Sequence, residues 1–249
     1  MADFVSSFAD AARDFTWSDA CLIHRHIPRT GGTSIRQAIT RHLLQRYSPS
    51  QIFLLDCGAE YDCANGSLSD FKALGDEERA RIRFIGGHVP PEMVSLVPHP
   101  VTFTVLRDPV EHAISQYWFC FHDPTSGKSH QAARSLSIYD FVNQGFAGTK
   151  NGQALFLSGA FFTRERMSDE KLLESARRSL SEMTYACTLE DASELLSDIC
   201  VVAGVNRVED LPRLHEGRRL RQTTPEELAL IASYNQVDRE LYESVRKRR

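Results

Sequence analysis

The sequence predicts an α/β fold in which a central, mainly parallel β-sheet is flanked by helices. Apolar, β-branched runs alternate with helical patterns along the first half of the chain, and the second half is mostly helical in pattern. The 249 residues, 42% of them hydrophobic and 25% charged, are enough for a substantial core. By length alone the chain fits one large domain or two small ones.

Four strands are predicted in the first half of the chain, and each ends at a turn or at a helix start. They cover residues 21–27, 51–56, 82–88 and 101–106. A helix is predicted from about 33 to 46, and residues 1–20 are expected to form an N-terminal helical extension. Asp108 and Pro109 predict a further helix start, with Asp as N-cap and Pro as the first helical residue.

The second half begins with a polar segment, residues 120–134, which is predicted to be a loop. Helical patterns follow, separated by a last strand at 184–190. The helices are predicted over 137–145, 168–183, 190–204 and 224–247. These patterns predict that the C-terminal part of the chain is mostly helical.

Composition excludes several classes of protein. The formal net charge of −4 argues against a nucleic-acid partner that is bound by bulk attraction. No apolar run is long enough to span a bilayer, so we expect no membrane span. Six cysteines without metal-type spacing indicate thiols in a reducing compartment, with a bond between Cys57 and Cys63 as a minor alternative.

The segment HIPRTGGTSI, residues 26–35, has the pattern of an anion-binding loop. A strand leads into a glycine-containing turn and then into a helix N-terminus, where backbone N–H groups and the helix dipole favour an anion. Arg29 supplies a formal charge, and the hydroxyls of Thr33 and Ser34 can donate to a phosphate oxygen. The pattern is not a Walker A loop. The alternative is a tight turn that uses glycine only for its geometry.

The segment TVLRDPVEHAISQYWF, residues 104–119, predicts a second phosphate site. Arg107 follows a strand at its carboxyl end, where open α/β sheets bind ligands. Ser115 lies about two turns into the next helix, on the side of Glu111. The alternative is that Arg107 pairs with Asp108 or another acid and only ties the strand to the helix.

Together, IPRTGGTS and LRDPVEHAISQYWF resemble the sulfotransferase family, specifically its carbohydrate-type branch. Members of that branch look like IPKTGGTS at the loop and RDPxxRxxSxY at the second element. The segments FIGGHV, NGQALFLSG, YACTLEDASELL and NQVDRELYE extend the resemblance over most of the chain. It implies a single sulfotransferase-like domain over residues 1–249 with a P-loop-like core, and the donor 3′-phosphoadenosine-5′-phosphosulfate (PAPS).

The resemblance also implies roles for individual residues. The loop unit, 21–46, would hold the 5′-phosphosulfate, and the unit at 101–121 would hold the 3′-phosphate through Arg107 and Ser115. The loop residues with this role are Arg29, Thr30, Gly31, Gly32, Thr33 and Ser34.

Three positions depart from the family pattern. Arg29 stands where the family has lysine, and His112 and Leu155 stand where it has arginine. Arg29 keeps the positive charge but places it differently, whereas the other two changes remove cations.

His88 is the candidate general base. It follows two glycines at a predicted strand end, and a histidine with an ordinary pKa near 6.5 can take a proton from an acceptor hydroxyl. The family resemblance gives it the same role. We expect structural roles for the other histidines, including His24 and His26, and no metal site, because nothing resembles a metal-ligand motif.

The basic segment HEGRRLRQ, residues 215–222, precedes the last helix. Arg218 or Arg219 could reach a nucleotide phosphate from it. The alternative is a solvated basic surface.

These observations predict a PAPS-dependent O-sulfotransferase. Its catalytic residues would be His88 and Arg29, and its acceptor a hydroxyl of a saccharide, glycoconjugate or other small molecule. The alternatives are a catalytically silent nucleotide-binding scaffold and, with less support, a P-loop kinase. The N-terminus lacks the order of a signal peptide, so we expect a cytoplasmic enzyme of bacterial type.

Overall fold

The structure, a computed structural model, describes residues 7–15, 17–55, 63–205 and 219–247. The chain forms two compact units. Unit 1 comprises Met1–Val105, Ser181–Leu214 and Arg248–Arg249, and unit 2 comprises Leu106–Leu180 and His215–Lys247. The single domain expected over residues 1–249 stays a prediction.

Among the described residues, six strands form one sheet. They are β1 (Cys21–Arg25), β2 (Ile52–Leu55), β3 (Ala64–Gly66), β4 (Phe84–Gly87), β5 (Pro100–Leu106) and β6 (Tyr185–Thr188). Their order across the sheet is β3-β2-β4-β1-β5-β6. β1 pairs in parallel with β4 and β5, and β2 pairs in parallel with β3 and β4. The predicted α/β class with a mainly parallel sheet is confirmed.

Helices occupy the connections between the strands and most of the chain after β5. They are α1 (Phe8–Ala11), α2 (Gly32–Leu43), α3 (Leu68–Ala73), α4 (Asp76–Arg81), α5 (Pro91–Val94), α6 (Pro109–His122), α7 (Lys128–Ser135), α8 (Ile138–Asn143), α9 (Gly152–Leu157), α10 (Ala160–Thr163), α11 (Asp169–Ser181), α12 (Ala192–Val202), α13 (Pro225–Ser233) and α14 (Gln236–Arg246). The predicted helical C-terminal part is confirmed. No helix in the described ranges is long and apolar enough to cross a membrane.

The central strands β1, β2 and β4 are buried on both faces of the sheet. Leu22 of β1 belongs to one apolar cluster, which includes residues of α2 and α12. The next residue, Ile23, belongs to a second cluster, which includes residues of α3 and α5. Successive side chains of a strand point to opposite faces, so a strand between two helical layers is apolar throughout. This explains why β1 has a continuous apolar start instead of an alternating pattern.

Unit 2 has its own core, which is built on one face of α6. Ile114 and Tyr117 of α6 pack with Phe141 of α8 and Ile231 of α13. The rings of Tyr117 and Phe141 meet edge to face, with centroids 5.3 Å apart. The core of unit 2 therefore holds α6 in place.

The structure corrects three sequence predictions. The segment 120–134 is not a loop throughout, because α6 continues to His122 and α7 begins at Lys128. The single helix predicted over 224–247 is two helices, since the backbone of Asn235 leaves the helical region between α13 and α14. β3 was not predicted, because its three residues are small or polar. In the described part of the N-terminal extension, the helix is limited to α1.

Candidate functional site

The connection from β1 to α2 is a tight turn that leads directly into a helix N-terminus. The main-chain N–H and the hydroxyl of Thr30 both donate to the carbonyl oxygen of Ile27, at 3.4 and 2.8 Å. Gly31 is the N-cap of α2 and makes no side-chain cap. The first N–H groups of α2 have no acceptor within the helix, and they carry the positive end of its dipole.

Two residues of this turn have left-handed backbone conformations. Gly31 has a φ of 80° and Arg29 a φ of 67°. A positive φ is unusual for a residue with a side chain, and such conformations occur often in binding loops. The six predicted loop residues are contiguous in this turn and in the first turn of α2, with Thr33 half-buried and Ser34 buried. The hydroxyl proton of Thr30 is used within the turn itself.

Gly32, the first residue of α2, is required by the side chain of His26. A Cβ atom built on Gly32 would lie 1.8 Å from Nδ1 of His26, so the imidazole rests directly against the helix N-terminus. His26 follows β1 and is buried, with 7% of its surface exposed. The second glycine of the loop therefore makes room for a histidine.

Three histidines lie together at the carboxyl ends of β1 and β4. The parallel register pairs Arg25 with Gly87, so that the residues that follow, His26 and His88, are neighbours. Their rings are stacked with centroids 5.4 Å apart and planes 24° apart. The ring of His24 lies 5.5 Å from that of His26. His88 is half-buried.

Burial keeps two of these histidines neutral. It lowers the pKa of His24 to about 3, with smaller effects from Arg36 and His88 in the same direction. Burial also lowers the pKa of His26 well below its ordinary value, and His24, His88, Arg36 and Arg29 act in the same direction. All the charged or titratable neighbours that act on these two rings are bases. The electrostatic surroundings of the turn are therefore positive.

Sequence reasoning missed His26 and Arg36 as parts of this site. His26 was expected to be structural, and Arg36 has no motif. Arg36 is buried in α2, and its Cγ would lie 3.1 Å from a Cβ on Gly86 of β4. The signal for His26 is the β1–β4 register, which the sequence of either strand alone does not contain.

In unit 2, the main chain of Arg107 is held by the side chain of Gln153. The N–H of Arg107 donates to Oε1 of Gln153 at 2.9 Å, and Nε2 of Gln153 donates to the carbonyl of Arg107 at 2.9 Å. Gln153 belongs to α9 and has no exposed surface. A side-chain amide thus satisfies both main-chain groups of Arg107 where β5 ends.

Gln153 is itself held by a buried carboxylate. The N–H groups of Gln153 and Ala154 donate to Asp238 of α14, at 3.0 and 2.7 Å. The carboxylate therefore caps the N-terminus of α9 from another helix. Asn151 and Asn235 extend this buried network: the N–H of Asn151 donates to Oδ1 of Asn235, at 2.8 Å.

Asp108 acts as the predicted N-cap of α6. Its carboxylate accepts from the N–H groups of Val110 and Glu111, at 3.0 and 3.1 Å, and Pro109 is the first residue of the helix. The Asp108 carboxylate also accepts from Arg239 of α14, at 2.9 Å. Arg239, which the sequence did not single out, therefore supplies a positive partner for Asp108.

The Arg107 guanidinium points along α6 to Glu111. Nη2 of Arg107 lies 3.4 Å from Oε2 of Glu111, and Arg219 donates to the same oxygen. Glu111 and Arg219 line an open cavity of about 510 Å³ together with Ile114, Arg221, Gln222, Thr223 and Leu228. Ser115, half-buried, lies one turn after Glu111 on α6. Arg218 lies outside the described residues.

The two remaining departures from the family pattern also lie in unit 2. His112 is buried on α6, and its Cε1 would lie 3.2 Å from a Cβ on Gly152 of α9. Leu155 is half-buried on α9. His112 thus fills the space that the glycine leaves at the start of α9.

Within the described ranges, no group of three or more His, Cys, Asp or Glu side chains could hold a metal ion. Cys57 lies outside the described residues, and with it the alternative of a bond to Cys63.

Comparison with family models and with curated proteins gave no match for this chain. Among solved structures, the chain is similar to the crystal structure of mouse sulfotransferase SULT7A1 complexed with PAP. The identity is 15%, the TM-score is 0.33, and the alignment covers 96% of this chain and 94% of that chain. At this level of similarity, the assignment of function depends on the side chains of the chain itself.

Replacing His24 by phenylalanine is expected to remove part of the acid sensitivity of unit 1. The folded-state pKa is about 3, whereas an unfolded histidine has an ordinary value of 6.5. The contribution of His24 to the stability of the folded state is therefore fully present above pH 6.5 and is lost as the pH falls towards 3. When the pH is lowered from 7.5 to 4.5, the free energy of unfolding of His24→Phe, measured with urea, should rise by on the order of 3 kcal/mol relative to that of the wild type.

Phenylalanine fits this site because the His24 ring is stacked on Phe103, with centroids 4.6 Å apart, and neither ring nitrogen has a hydrogen-bond partner in the described part of the protein. Thr40→Val is the matched control, since it removes a buried polar group that does not titrate. Wild type and His24→Phe losing stability in parallel on acidification would contradict the prediction.

Asp238→Asn is expected to change how the stability of unit 2 depends on pH. The direction is opposite to that expected for His24 in unit 1. Burial raises the pKa of Asp238 to about 6, above its ordinary value of 3.8, although its hydrogen bonds with Gln153 and Ala154 act the other way. The contribution of Asp238 is therefore present below pH 3.8 and is lost as the pH rises through about 6. From pH 4 to pH 7.5, the free energy of unfolding of the wild type should fall by on the order of 3 kcal/mol relative to that of Asp238→Asn.

Asp169→Asn, at an exposed position of the same unit, gives the baseline for the loss of one carboxyl group. A difference between wild type and Asp238→Asn that stays constant from pH 4 to pH 7.5 would exclude a raised pKa at this site.

Proposed function

We propose that the protein is a PAPS-dependent sulfotransferase that transfers a sulfuryl group to a hydroxyl of a saccharide or other small acceptor. One observation carries the proposal. His26 lies against the N-terminus of α2, its ring stacks on that of His88, and Arg29 and Arg36 act electrostatically on it. Such an arrangement attracts an anion that has several oxygen atoms.

In unit 1, the proposed ligand group is the 5′-phosphosulfate. The first N–H groups of α2, which lack an acceptor within the helix, and the hydroxyls of Thr33 and Ser34 are the proposed donors to its oxygens. Arg29 would place a positive charge beside the sulfuryl group, where negative charge moves onto the leaving oxygen during transfer. Arg29 and Gly31 have left-handed backbone conformations, and turns with such conformations form concave anion sites from successive N–H groups.

His88 is the proposed base. Its half-buried ring has a fixed stacking partner in His26, which burial keeps neutral, so that His26 does not add a second positive charge at this position. His88 would take the proton of the acceptor hydroxyl as the acceptor oxygen forms a bond to sulfur. The bond from sulfur to the 5′-phosphate oxygen breaks, and adenosine 3′,5′-bisphosphate leaves with that electron pair.

In unit 2, the proposed ligand group is the 3′-phosphate. Arg107, Ser115 and Arg219 are its proposed donors. The main chain of Arg107 is fixed by Gln153, and a fixed main chain reduces the conformational entropy that the side chain loses on binding. Arginine suits this role because its planar group can donate two parallel hydrogen bonds to a phosphate.

Calorimetric titration with adenosine 3′,5′-bisphosphate and with ATP tests the choice of nucleotide. We expect binding of the bisphosphate and much weaker binding of ATP, and the reverse order would favour a kinase. Turnover of PAPS with a panel of hydroxyl acceptors then tests for an enzyme. Binding of the bisphosphate without turnover on any acceptor would favour the scaffold alternative.

His88→Ala is expected to lower kcat by a factor on the order of 10² to 10⁴, the usual effect of losing a general base. Binding of adenosine 3′,5′-bisphosphate should change little, because the proposed role of His88 concerns the acceptor. His42→Ala on the same unit is the control for loss of a histidine. A kcat near that of the wild type would remove His88 from the mechanism.

Arg107→Ala is expected to weaken the binding of adenosine 3′,5′-bisphosphate by roughly 10- to 100-fold, as for the loss of charged hydrogen bonds to a phosphate. The main-chain contacts with Gln153 remain in this variant. Arg177→Ala, which removes an exposed arginine paired with Glu240, is the matched control. Unchanged nucleotide binding by Arg107→Ala would exclude Arg107 from the phosphate site.

A further inference from the structure

The carboxylate of Glu111 joins two arginines of unit 2. Its Oε2 atom lies 3.4 Å from Nη2 of Arg107 and also accepts from Nη2 of Arg219. All three side chains are partly exposed, with 42% of the Glu111 side chain accessible. Glu111 and Arg219 line the open cavity described above, so a ligand in that cavity can reach the oxygen that bridges the arginines.

The start of α6 and the main chain of Arg107 are held by groups other than the Glu111 side chain. The N-terminus of α6 is capped by Asp108, and the main chain of Arg107 is fixed by Gln153. Asp108 in turn pairs with Arg239. Asp108 and Glu111 thus have separate roles, since Asp108 supports the helix whereas Glu111 faces the arginines of the cavity.

We propose that the Glu111 carboxylate takes the place of a phosphate between Arg107 and Arg219, and that a phosphate must displace it in order to bind. This inference rests on the proposed function, which assigns the 3′-phosphate of the nucleotide to these arginines. Glu111 then sets how tightly the 3′-phosphate is held, both in the donor and in the desulfated product.

Charge and geometry favour this exchange. A carboxylate has one negative charge and two oxygens, whereas a phosphate monoester has nearly two charges and three free oxygens for the two guanidinium groups. Exposed ion pairs are weak, so the carboxylate can leave at little cost. After displacement, the carboxylate stays attached to α6 near the phosphate and repels it. Removing its charge should therefore strengthen phosphate binding.

The test compares wild type, Glu111→Gln and Glu174→Gln. Glu174→Gln is the matched control, because it removes one exposed negative charge from α11 of the same unit. Adenosine 3′,5′-bisphosphate is titrated by calorimetry at low ionic strength. We expect Glu111→Gln to lower its Kd by about three- to tenfold, and this gain to shrink in high salt. Glu174→Gln should bind as the wild type does.

Adenosine 5′-monophosphate is the control ligand, since it lacks the 3′-phosphate. Its affinity should be the same for wild type and Glu111→Gln. Glu111→Gln binding the bisphosphate with equal or lower affinity than the wild type would overturn the inference, because Glu111 would then orient Arg107 instead of competing. An equal gain for the monophosphate would overturn it as well, since the effect would not concern the 3′-phosphate.

A titration with inorganic phosphate separates this inference from the proposed function. The Nε–Hε signals of Arg107 and Arg219, assigned by Arg107→Lys and Arg219→Lys, report phosphate binding at this position by NMR. If the bisphosphate fails to bind but Glu111→Gln strengthens phosphate binding at these signals, the proposed function fails and the inference stands. If Glu111→Gln leaves phosphate binding unchanged at both signals, the inference fails.

Discussion

The parallel register of β1 between β4 and β5 determines the chemistry of unit 1. Because Arg25 lies opposite Gly87, the residues that follow the two strands, His26 and His88, come together at one end of the sheet. The pairing of β1 with β5 sets His24 beside Phe103, and their rings stack. A shift of one residue in this register would move each side chain to the other face of the sheet.

In this unit, different residues shape the site and supply its positive charge. His24 and His26 are imidazoles that burial holds neutral, so they shape the site and do not contribute charge. The positive charge comes from Arg29 and Arg36 and from the dipole of α2.

Much of the fold could be predicted from the sequence, because its signals are local. The apolar runs of β1, β4 and β5 and the Asp108–Pro109 helix start are visible within a few residues. The residues that make up the site were harder to predict from the sequence. The role of His26 depends on pairing with a strand some sixty residues away, and that of Gln153 on contacts with Arg107 and Asp238. Such contacts between distant segments leave no spacing pattern in the sequence.

The two units share one feature. In each, the main chain of a segment that carries an arginine is held by hydrogen bonds from uncharged groups. Thr30 closes the turn that carries Arg29, and the Gln153 amide satisfies the main chain of Arg107. Each arginine is thus placed by its backbone, and the side chain of Arg107 in addition pairs with Glu111. A side chain placed in this way can exchange one anionic partner for another without disturbing the fold, which is the property that a site for a transferable anion requires.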